Sequence, residues 1–426
     1  MSQFINKTIA RSEALLKGMV FDCHVCGQCV LDKTHLICPM SCPKGLRNGP
    51  CGGTLNGECE VYPDKPCVWV NIQKRSFRKK GDELPMLIRS PDARLFNTSS
   101  WMNKATGADS ASTAWLPYLD LPNERTRLPV QTNSLFEQRL KSGKFVFTAE
   151  LRAPREPDFS AIRRDAELLR GHFDAINCTA YLNGKPSLPS ALVARELKLM
   201  GLEPICQSTC RDHTKTSFVS ELIENDINQV NNTLCLTGDS YVGTPKIKQV
   251  FDMDSSLMIY EARHLRERSE VHFTGQELNK APKTFIGGAI NPFTNPPHVP
   301  IRRLKQKAAA GADFIQTQLV FDIGQFSDFM NRFREAGLHK ELFLLAGIPV
   351  IISKKALGFV PRIPGVHLPP AFLARLTDAA DIRAEGLALA RETIQAMREM
   401  EGVSGAHLML FGADHSVLPE LTQMTA

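Results

Sequence analysis

Short apolar segments alternate with longer amphipathic segments from about residue 136 to the end of the chain. This alternation is typical of a parallel sheet whose strands are joined by helices. The candidate strands are FVFTAE (145–150), DAINC (174–178), PICQS (204–208), NTLCL (232–236), TFIGGA (284–289), DFIQTQ (313–318), LFLLAG (342–347) and GAHLML (405–410). Eight strands over this length fit a (β/α)8 TIM barrel, so we predict an α/β fold with the barrel at residues 136–426.

The residues before the barrel lack this pattern and divide into two parts. Residues 76–135 have no sustained periodicity and are rich in Ser, Thr, Asn and Pro, which predicts a linker. Ahead of them, eight of the 12 cysteines lie between Cys23 and Cys67, where Tyr62 is the only aromatic residue. A segment so poor in large apolar side chains cannot bury enough surface to order itself. We therefore predict a small cysteine-rich domain stapled by metal at residues 1–75.

Charge and hydropathy narrow the classes of partner. The net charge of +6 is mild for 426 residues and no basic motif accompanies it, so we expect no binding to nucleic acid. No apolar run reaches the ~18 residues of a membrane helix, which argues against a membrane protein. The first residues lack the apolar region of a signal peptide, so we expect a cytoplasmic protein. We also expect it to form a homo-oligomer.

The spacing of the eight clustered cysteines indicates metal binding. In a reducing compartment such a cluster is more often a metal site than a set of disulfides. A Cys-x2-Cys-x2-Cys run and two Cys-Pro pairs favour a [4Fe-4S] cluster, and zinc stays open as an alternative. The thiols could serve one cluster and one zinc, two zincs, or one site with spare cysteines, and the metal could only fold the segment or also carry electrons. The candidate ligands are Cys23, Cys26, Cys29, Cys38, Cys42, Cys51, Cys59 and Cys67.

Polar side chains stand at the carboxyl ends of six candidate strands. Active sites of TIM barrels lie at that end, so these side chains are expected to share one mouth. They are Glu150, Thr179, Gln207, Asp239, Asn291 and Gln318. The sequence has neither a Gly-x-Gly-x-x-Gly turn after a strand nor a Walker A loop, which leaves a Rossmann or P-loop fold without support.

Two groups of motifs resemble a known family. The stretch CPKGLRNGPCGG (42–53), followed by GECE (57–60), resembles the cysteine-rich module associated with methylenetetrahydrofolate reductases of acetogens and various other bacteria. The barrel segments FTAELRAP, DAINCTA, QSTCRD, LTGD, VFDMDS, GGAINPF and KAAAGADFIQTQLVFD resemble the catalytic barrel of the same reductases. The resemblance implies an FAD-dependent oxidoreductase of one-carbon metabolism. Such an enzyme interconverts 5,10-methylenetetrahydrofolate and 5-methyltetrahydrofolate by hydride transfer, with NAD(P)H or a reduced partner protein as electron donor.

The resemblance also assigns roles to single residues. It places the catalytic acid at Glu150, the carboxylate between flavin and folate at Asp239, a pterin contact at Gln318, and an aromatic contact to folate or nicotinamide at Phe359. The positions that line FAD in the family correspond to Thr179, Gln207, Asp239, Asn291, Lys307 and Ala312. The sequence departs from the better-known bacterial pattern at three positions, where His or Arg is replaced: Gln207, Gln306 and Ala413.

The implied chemistry sets a demand on Glu150. Opening the imidazolidine ring to a 5-iminium cation needs a proton, so the carboxyl must stay protonated near neutral pH, which an apolar setting such as Phe145–Phe147 would favour. A carboxylate at Asp239 would stabilise the cation. Two other functions stay open at this point. One is a folate-dependent methyltransferase barrel without flavin, and the other is an electron-transfer or docking protein built around the cysteine-rich unit.

Overall fold

A closed barrel of eight parallel strands forms the larger part of the computed structural model, which describes residues 2–78, 86–109, 115–116, 131–181, 184–241, 247–366 and 368–423. The N-terminal unit precedes the barrel. Its elements are α1 (Ser2–Phe21), α2 (Val68–Arg78), β1 (Met86–Leu87), α3 (Ser100–Ala105) and β2 (Trp115–Leu116). Residues 22–67, between α1 and α2, contain only turns, bridges and one short 3-10 helix at Pro39–Ser41.

The barrel strands occur in chain order around the barrel, and each pairs in parallel with its neighbours. They are β3 (Val146–Leu151), β4 (Ala175–Cys178), β5 (Pro204–Thr209), β6 (Asn232–Leu236), β9 (Phe285–Ile290), β10 (Phe314–Leu319), β11 (Phe343–Val350) and β12 (Val403–Leu410). A two-stranded excursion, β7 (Glu270–Val271) and β8 (Gln276–Glu277), lies between β6 and β9. All eight predicted strands are present, and the predicted (β/α)8 barrel is confirmed.

Helices cover the outside of the barrel and one end of it. They are α4 (Leu135–Lys141), α5 (Ser160–Leu169), α6 (Ser190–Leu199), α7 (Lys215–Ile227), α8 (Ser255–Arg268), α9 (His298–Ala310), α10 (Ile323–Glu335), α11 (Lys354–Phe359), α12 (Pro370–Asp378), α13 (Ile382–Glu399) and α14 (Pro419–Thr422). Several begin at a side chain that accepts from free backbone amides, as Asp254 does for Ser256 and Leu257 at the start of α8. Among the described helices, none is both long and apolar enough to cross a membrane.

Aromatic rings close the barrel at the amino-terminal ends of its strands. Phe136 of α4 packs edge-on against Phe314, with ring centroids 5.3 Å apart, and Phe314 stacks on Phe285 at 5.2 Å. Gly287 leaves room for this stack, since a Cβ there would lie 2.2 Å from the Phe314 ring. The bottom of the barrel is therefore filled, and open space is left at the carboxyl ends of the strands.

Part of the predicted linker packs on the N-terminal unit. The Gln28 side chain exchanges two hydrogen bonds with the backbone of Asp92, at 2.8 and 3.0 Å, and Ser99 and Ser100 donate to the buried carboxylate of Glu13. Residues 86–109 thus fold as a strap over the cysteine-rich segment. Residues 79–85, 110–114 and 117–130 of the predicted linker lie outside the described residues.

Candidate active site at the barrel mouth

A cavity of about 850 Å³ occupies the carboxyl ends of the strands, a size suited to a cofactor together with a small substrate. Eight of the residues expected from the sequence line it: Glu150, Thr179, Gln207, Asp239, Asn291, Lys307, Gln318 and Phe359. Residues 50–53 of the cysteine-rich unit form part of the same wall. The mouth of the barrel is thus shared between the two parts of the chain.

Ala312 does not belong to this cavity. It lies in the short connection between α9 and β10, where its amide donates to the Lys307 carbonyl at 2.9 Å. Helices outside a parallel barrel run back toward the amino-terminal ends of the strands, so this connection is at the opposite end from the mouth. The structure therefore does not bring Ala312 together with the other residues expected to line a cofactor, and its role stays a prediction.

Glu150 faces the cavity from the penultimate position of β3, and Gln207 donates to its Oε2 at 3.3 Å. Burial raises the pKa of the Glu150 carboxyl, and Arg152 and Gln207 only partly oppose this effect. Two of the three apolar residues expected to surround Glu150 face away from it. Phe145 and Phe147 point out of the barrel, because side chains alternate along a strand, and Arg398 of α13 lies over both rings.

A layer of polar side chains lies inside the barrel, two residues below the strand-end residues that line the mouth. Asn177 and Gln316 exchange side-chain hydrogen bonds at 2.8 and 3.1 Å, and Thr148 Oγ1 lies 2.9 Å from His407 Nδ1. Burial lowers the pKa of His407 to about 3, so its ring is neutral. The sequence reasoning missed this layer. The signal was available, since Thr148, Asn177 and Gln316 each stand two residues before a strand-end residue and therefore face the same side.

Asp239 lies in the loop after β6, with its side chain open to the cavity. Protein nevertheless surrounds the carboxyl on most sides, so lost hydration raises its pKa, and the negative charge of Glu60 adds to the shift. Lys44 and Arg211 act in the other direction. Gly238, at φ +81°, lets the chain turn here without a clash against Arg211. Two residues of the cysteine-rich unit are therefore close neighbours of this carboxylate.

Asn291 joins the two parts of the chain. Its Nδ2 donates to the Gly52 carbonyl at 3.0 Å and to the Gly365 carbonyl at 2.9 Å, and its Oδ1 accepts from the Phe293 amide at 3.0 Å. Both amide protons and the amide oxygen are therefore engaged by protein. The side chain expected to contact a flavin serves here to hold residue 52 at the mouth.

Lys307 supplies a buried amine on the cavity wall. Its Nζ donates to Ser255 Oγ at 2.9 Å, and no carboxylate of the described residues forms an ion pair with it. Burial and the nearby charge of Arg303 lower the pKa of Lys307 to about 7, although Asp254 opposes them. A buried ammonium that forms no direct ion pair is unfavourable in the empty protein and suits an anionic ligand.

The eight clustered cysteines separate into two groups. Cys23, Cys26, Cys29 and Cys38 line one small cavity of about 30 Å³ beside Arg47. The other group is Cys42, Cys51, Cys59 and Cys67, within which lost hydration, helped by the nearby Cys67 and Cys59, raises the pKa of Cys42 to about 11. All are free thiols. Over the described ranges, however, no group of three or more His, Cys, Asp and Glu side chains is placed to hold a metal ion, so the metal site stays a prediction.

A closed parallel barrel with polar and ionisable side chains at the carboxyl ends of its strands defines an enzyme of the TIM-barrel class. Residues 135–424 match the family model described as methylenetetrahydrofolate reductase. Because this match spans well over half of the chain, the chain belongs to the methylenetetrahydrofolate reductase family. Residues 3–93 match a second model, described as the methylene-tetrahydrofolate reductase C terminal.

Two named relatives and one solved structure are similar to the chain. Methylenetetrahydrofolate reductase 2 of Saccharomyces cerevisiae is 25% identical over 313 residues, which are 69% of this chain and 49% of that protein. A probable methylenetetrahydrofolate reductase (NADPH) of Caenorhabditis elegans is 24% identical over 193 residues, 44% of this chain and 26% of that protein. The chain thus spans about half or less of the length of these relatives.

The solved structure is an uncharacterized protein from Clostridium thermocellum that binds two copies of 5-methyl-5,6,7,8-tetrahydrofolic acid. It superposes with a TM-score of 0.50 at 14% identity, covering 68% of this chain and 100% of that one. At this identity the similarity shows the barrel fold alone.

Proposed function

We propose that this protein is an FAD-dependent methylenetetrahydrofolate reductase that interconverts 5,10-methylenetetrahydrofolate and 5-methyltetrahydrofolate. The observation that carries the proposal is the pair of carboxyls in one cavity. Burial raises the pKa of both carboxyls, and Glu150 accepts from Gln207, whereas Asp239, in the loop after β6, has Lys44 and Arg211 nearby, whose charges favour its anion. A carboxylic acid and a nearby anionic carboxylate are what ring opening and cation stabilisation require.

Glu150 is the proton donor in this proposal. Its raised pKa favours the protonated carboxyl, which would donate its proton to the departing ring nitrogen of 5,10-methylenetetrahydrofolate. In the reverse direction the same group takes the proton back when the ring closes. Gln207 orients the carboxyl through the bond from its Nε2 to Oε2, and the lowering of the pKa by this bond is smaller than the rise caused by burial.

Asp239 and Gln318 act on the folate. The Asp239 carboxylate would stabilise the iminium cation formed on ring opening. Gln318 presents a side-chain amide to the cavity, and an amide can satisfy both donor and acceptor atoms on a pterin edge. Phe359, 42% exposed on the cavity wall, offers a ring face for the planar part of a substrate.

The residues present fit FAD, and the clearest match is a buried cation for its pyrophosphate. Lys307, the buried cation on the wall, would meet the pyrophosphate, and Thr179 and Gln207 would line the flavin. FAD, when bound and reduced by the electron donor, would supply the hydride that reduces the folate. Asn291 would contribute through its hold on residue 52 and not through a free amide.

The cysteine-rich unit would hold the metal, either a [4Fe-4S] cluster or zinc. The convergence of four cysteines on one small cavity supports a first site, and the second group of four lies nearer the barrel mouth, with Cys51 on the cavity wall. The electron donor would be NAD(P)H or a reduced partner protein. The cytoplasmic location and the homo-oligomeric state stay predictions.

One experiment tests the function directly. Full-length protein purified without oxygen should show a flavin absorbance spectrum, and 5-methyltetrahydrofolate should bleach it as the flavin is reduced. Iron and zinc analysis of the same sample identifies the metal. Protein that is colourless, cannot be loaded with FAD and still binds 5-methyltetrahydrofolate would refute the reductase and favour the methyltransferase.

A further inference from the structure

A buried ion pair of the cysteine-rich unit reaches the catalytic loop of the barrel. Lys44 Nζ pairs with Glu60 Oε1, and the two side chains are only 3% and 4% exposed. Lys44 Nζ also donates to the Gly238 carbonyl at 2.9 Å, and the Ser240 amide donates to Glu60 Oε1 at 2.9 Å. We call these two residues the 44/60 clamp.

The clamp holds the two peptide groups on either side of Asp239. A cationic donor fixes the carbonyl before Asp239 and an anionic acceptor fixes the amide after it, so the backbone around this residue is restrained in both position and orientation. Arg211 adds a hydrogen bond from Nη1 to the Asp239 carbonyl at 3.2 Å. The Asp239 side chain is left free to face the cavity.

The clamp is more than a docking contact of the unit. Taking two charges out of water is costly, and a buried pair is retained without loss only when further hydrogen bonds satisfy it. Here those further bonds go to residues 238 and 240. The unit is also anchored elsewhere, through Asn48 Nδ2 to Asp254 at 2.7 Å and Arg302 Nη1 to Ser76 at 3.0 Å, so docking does not depend on the clamp alone.

A glycine beside Glu60 leaves the space that its carboxylate occupies. Gly53 lies so close to the Glu60 carboxylate that a Cβ at residue 53 would overlap Oε2. The loop that lines the mouth therefore also leaves the space in which Glu60 reaches the Ser240 amide.

We propose that Lys44 and Glu60 are positioning residues for Asp239, so that the cysteine-rich unit completes the active site of the barrel. The inference rests on the proposed function, in which Asp239 faces the reacting folate. Neither residue touches the substrate, and both act through the loop that carries Asp239.

A double-mutant cycle tests the coupling. In full-length, FAD-loaded protein, stopped-flow reduction of the flavin by 5-methyltetrahydrofolate is measured for wild type, Lys44→Met, Asp239→Asn and the two combined. We expect Lys44→Met to slow the limiting rate by about 10- to 100-fold, as a misplacement near 1 Å does, with a smaller change in folate affinity. Adding it to Asp239→Asn should cause little further loss. Losses that multiply would overturn the proposal.

Three further variants separate positioning from folding. Lys44→Met combined with Glu60→Gln removes both charges together and leaves no unpaired buried carboxylate, yet keeps an acceptor oxygen for Ser240. It should be faster than Glu60→Ala, which loses that acceptor. Arg302→Met, the matched control, removes a contact between unit and barrel that does not involve residues 238–240 and should reduce flavin at the wild-type rate. Equal rates for the first two variants would contradict the positioning role.

Hydrogen–deuterium exchange gives a readout that is independent of activity. The Ser240 amide is protected by Glu60, so exchange in the peptide covering 232–241 should accelerate in Glu60→Ala and stay unchanged in Arg302→Met. Unchanged exchange in Glu60→Ala would refute the clamp. If wild-type flavin is not reduced by 5-methyltetrahydrofolate, the proposed function fails, and the exchange measurement still decides whether the clamp exists.

Discussion

Lys307 makes the affinity for FAD depend on pH in a way that one substitution should abolish. In the empty protein its amine is buried and its pKa is lowered to about 7, chiefly by burial and next by Arg303. A pyrophosphate beside it would favour the ammonium and raise this pKa again. Binding therefore requires a proton on Lys307, which the empty protein already carries below pH 7 and lacks above it.

The magnitude follows from this pKa. Each pH unit above about 7 reduces the charged fraction of Lys307 tenfold, and a tenfold change in affinity corresponds to ~1.4 kcal/mol. From pH 6 to pH 9 the FAD affinity of the wild type should thus fall by roughly 100-fold, or ~2.7 kcal/mol. At pH 8 each FAD that binds should also take up nearly one proton from the buffer.

The assay is a fluorescence titration of flavin-free protein with FAD across this pH range, with calorimetry at pH 8 in two buffers of different ionisation enthalpy to count protons. Lys307→Met removes the titrating amine and keeps most of the volume. It should bind weakly and with no pH dependence below pH 9. A flat wild-type profile, or a variant with the wild-type slope, would refute the role of Lys307.

Three other predictions concern the acid, the metal and the barrel core. Glu150→Gln should slow folate reduction by ~100-fold while reduction of the flavin by its electron donor survives, and a parallel loss of both in half-reaction assays would make Glu150 structural. Cys26→Ser should lower the metal content of anaerobically purified protein; unchanged content would remove Cys26 from the ligands. Gly287→Ala should lower the free energy of unfolding by about 1–3 kcal/mol, because its Cβ would collide with the Phe314 ring; an unchanged denaturation midpoint would contradict this packing.

The barrel and its mouth could be predicted from sequence because both depend on local patterns. Each strand is a short apolar run, and a polar residue at its carboxyl end must face the mouth once the sheet closes. That reasoning places Glu150, Thr179, Gln207 and Gln318 in one cavity, as the structure does. It does not apply to Ala312, which was assigned by resemblance and lies at the other end of the barrel.

The contacts between the two parts of the chain could not be predicted in this way. Lys44 and Gly238 are 194 residues apart, and no periodicity relates a charged residue in a turn-rich segment to a loop in the barrel. The same is true of Asn291, which the resemblance places beside a flavin and whose amide protons bind the carbonyls of Gly52 and Gly365. Direction along a strand explains the error at Phe145 and Phe147, since neighbours in sequence point to opposite sides of the sheet.

The stacked rings of Phe136, Phe285 and Phe314 close the barrel at its amino-terminal end, so the cavity is open at one end only. Along the described strands, molecules that reach the cavity must enter and leave through the same opening at the carboxyl ends. Residues 50–53 line part of that opening. A change in the length of this short loop would therefore alter the rates at which every ligand enters and leaves the cavity. This would hold even if no side chain that touches those ligands were changed.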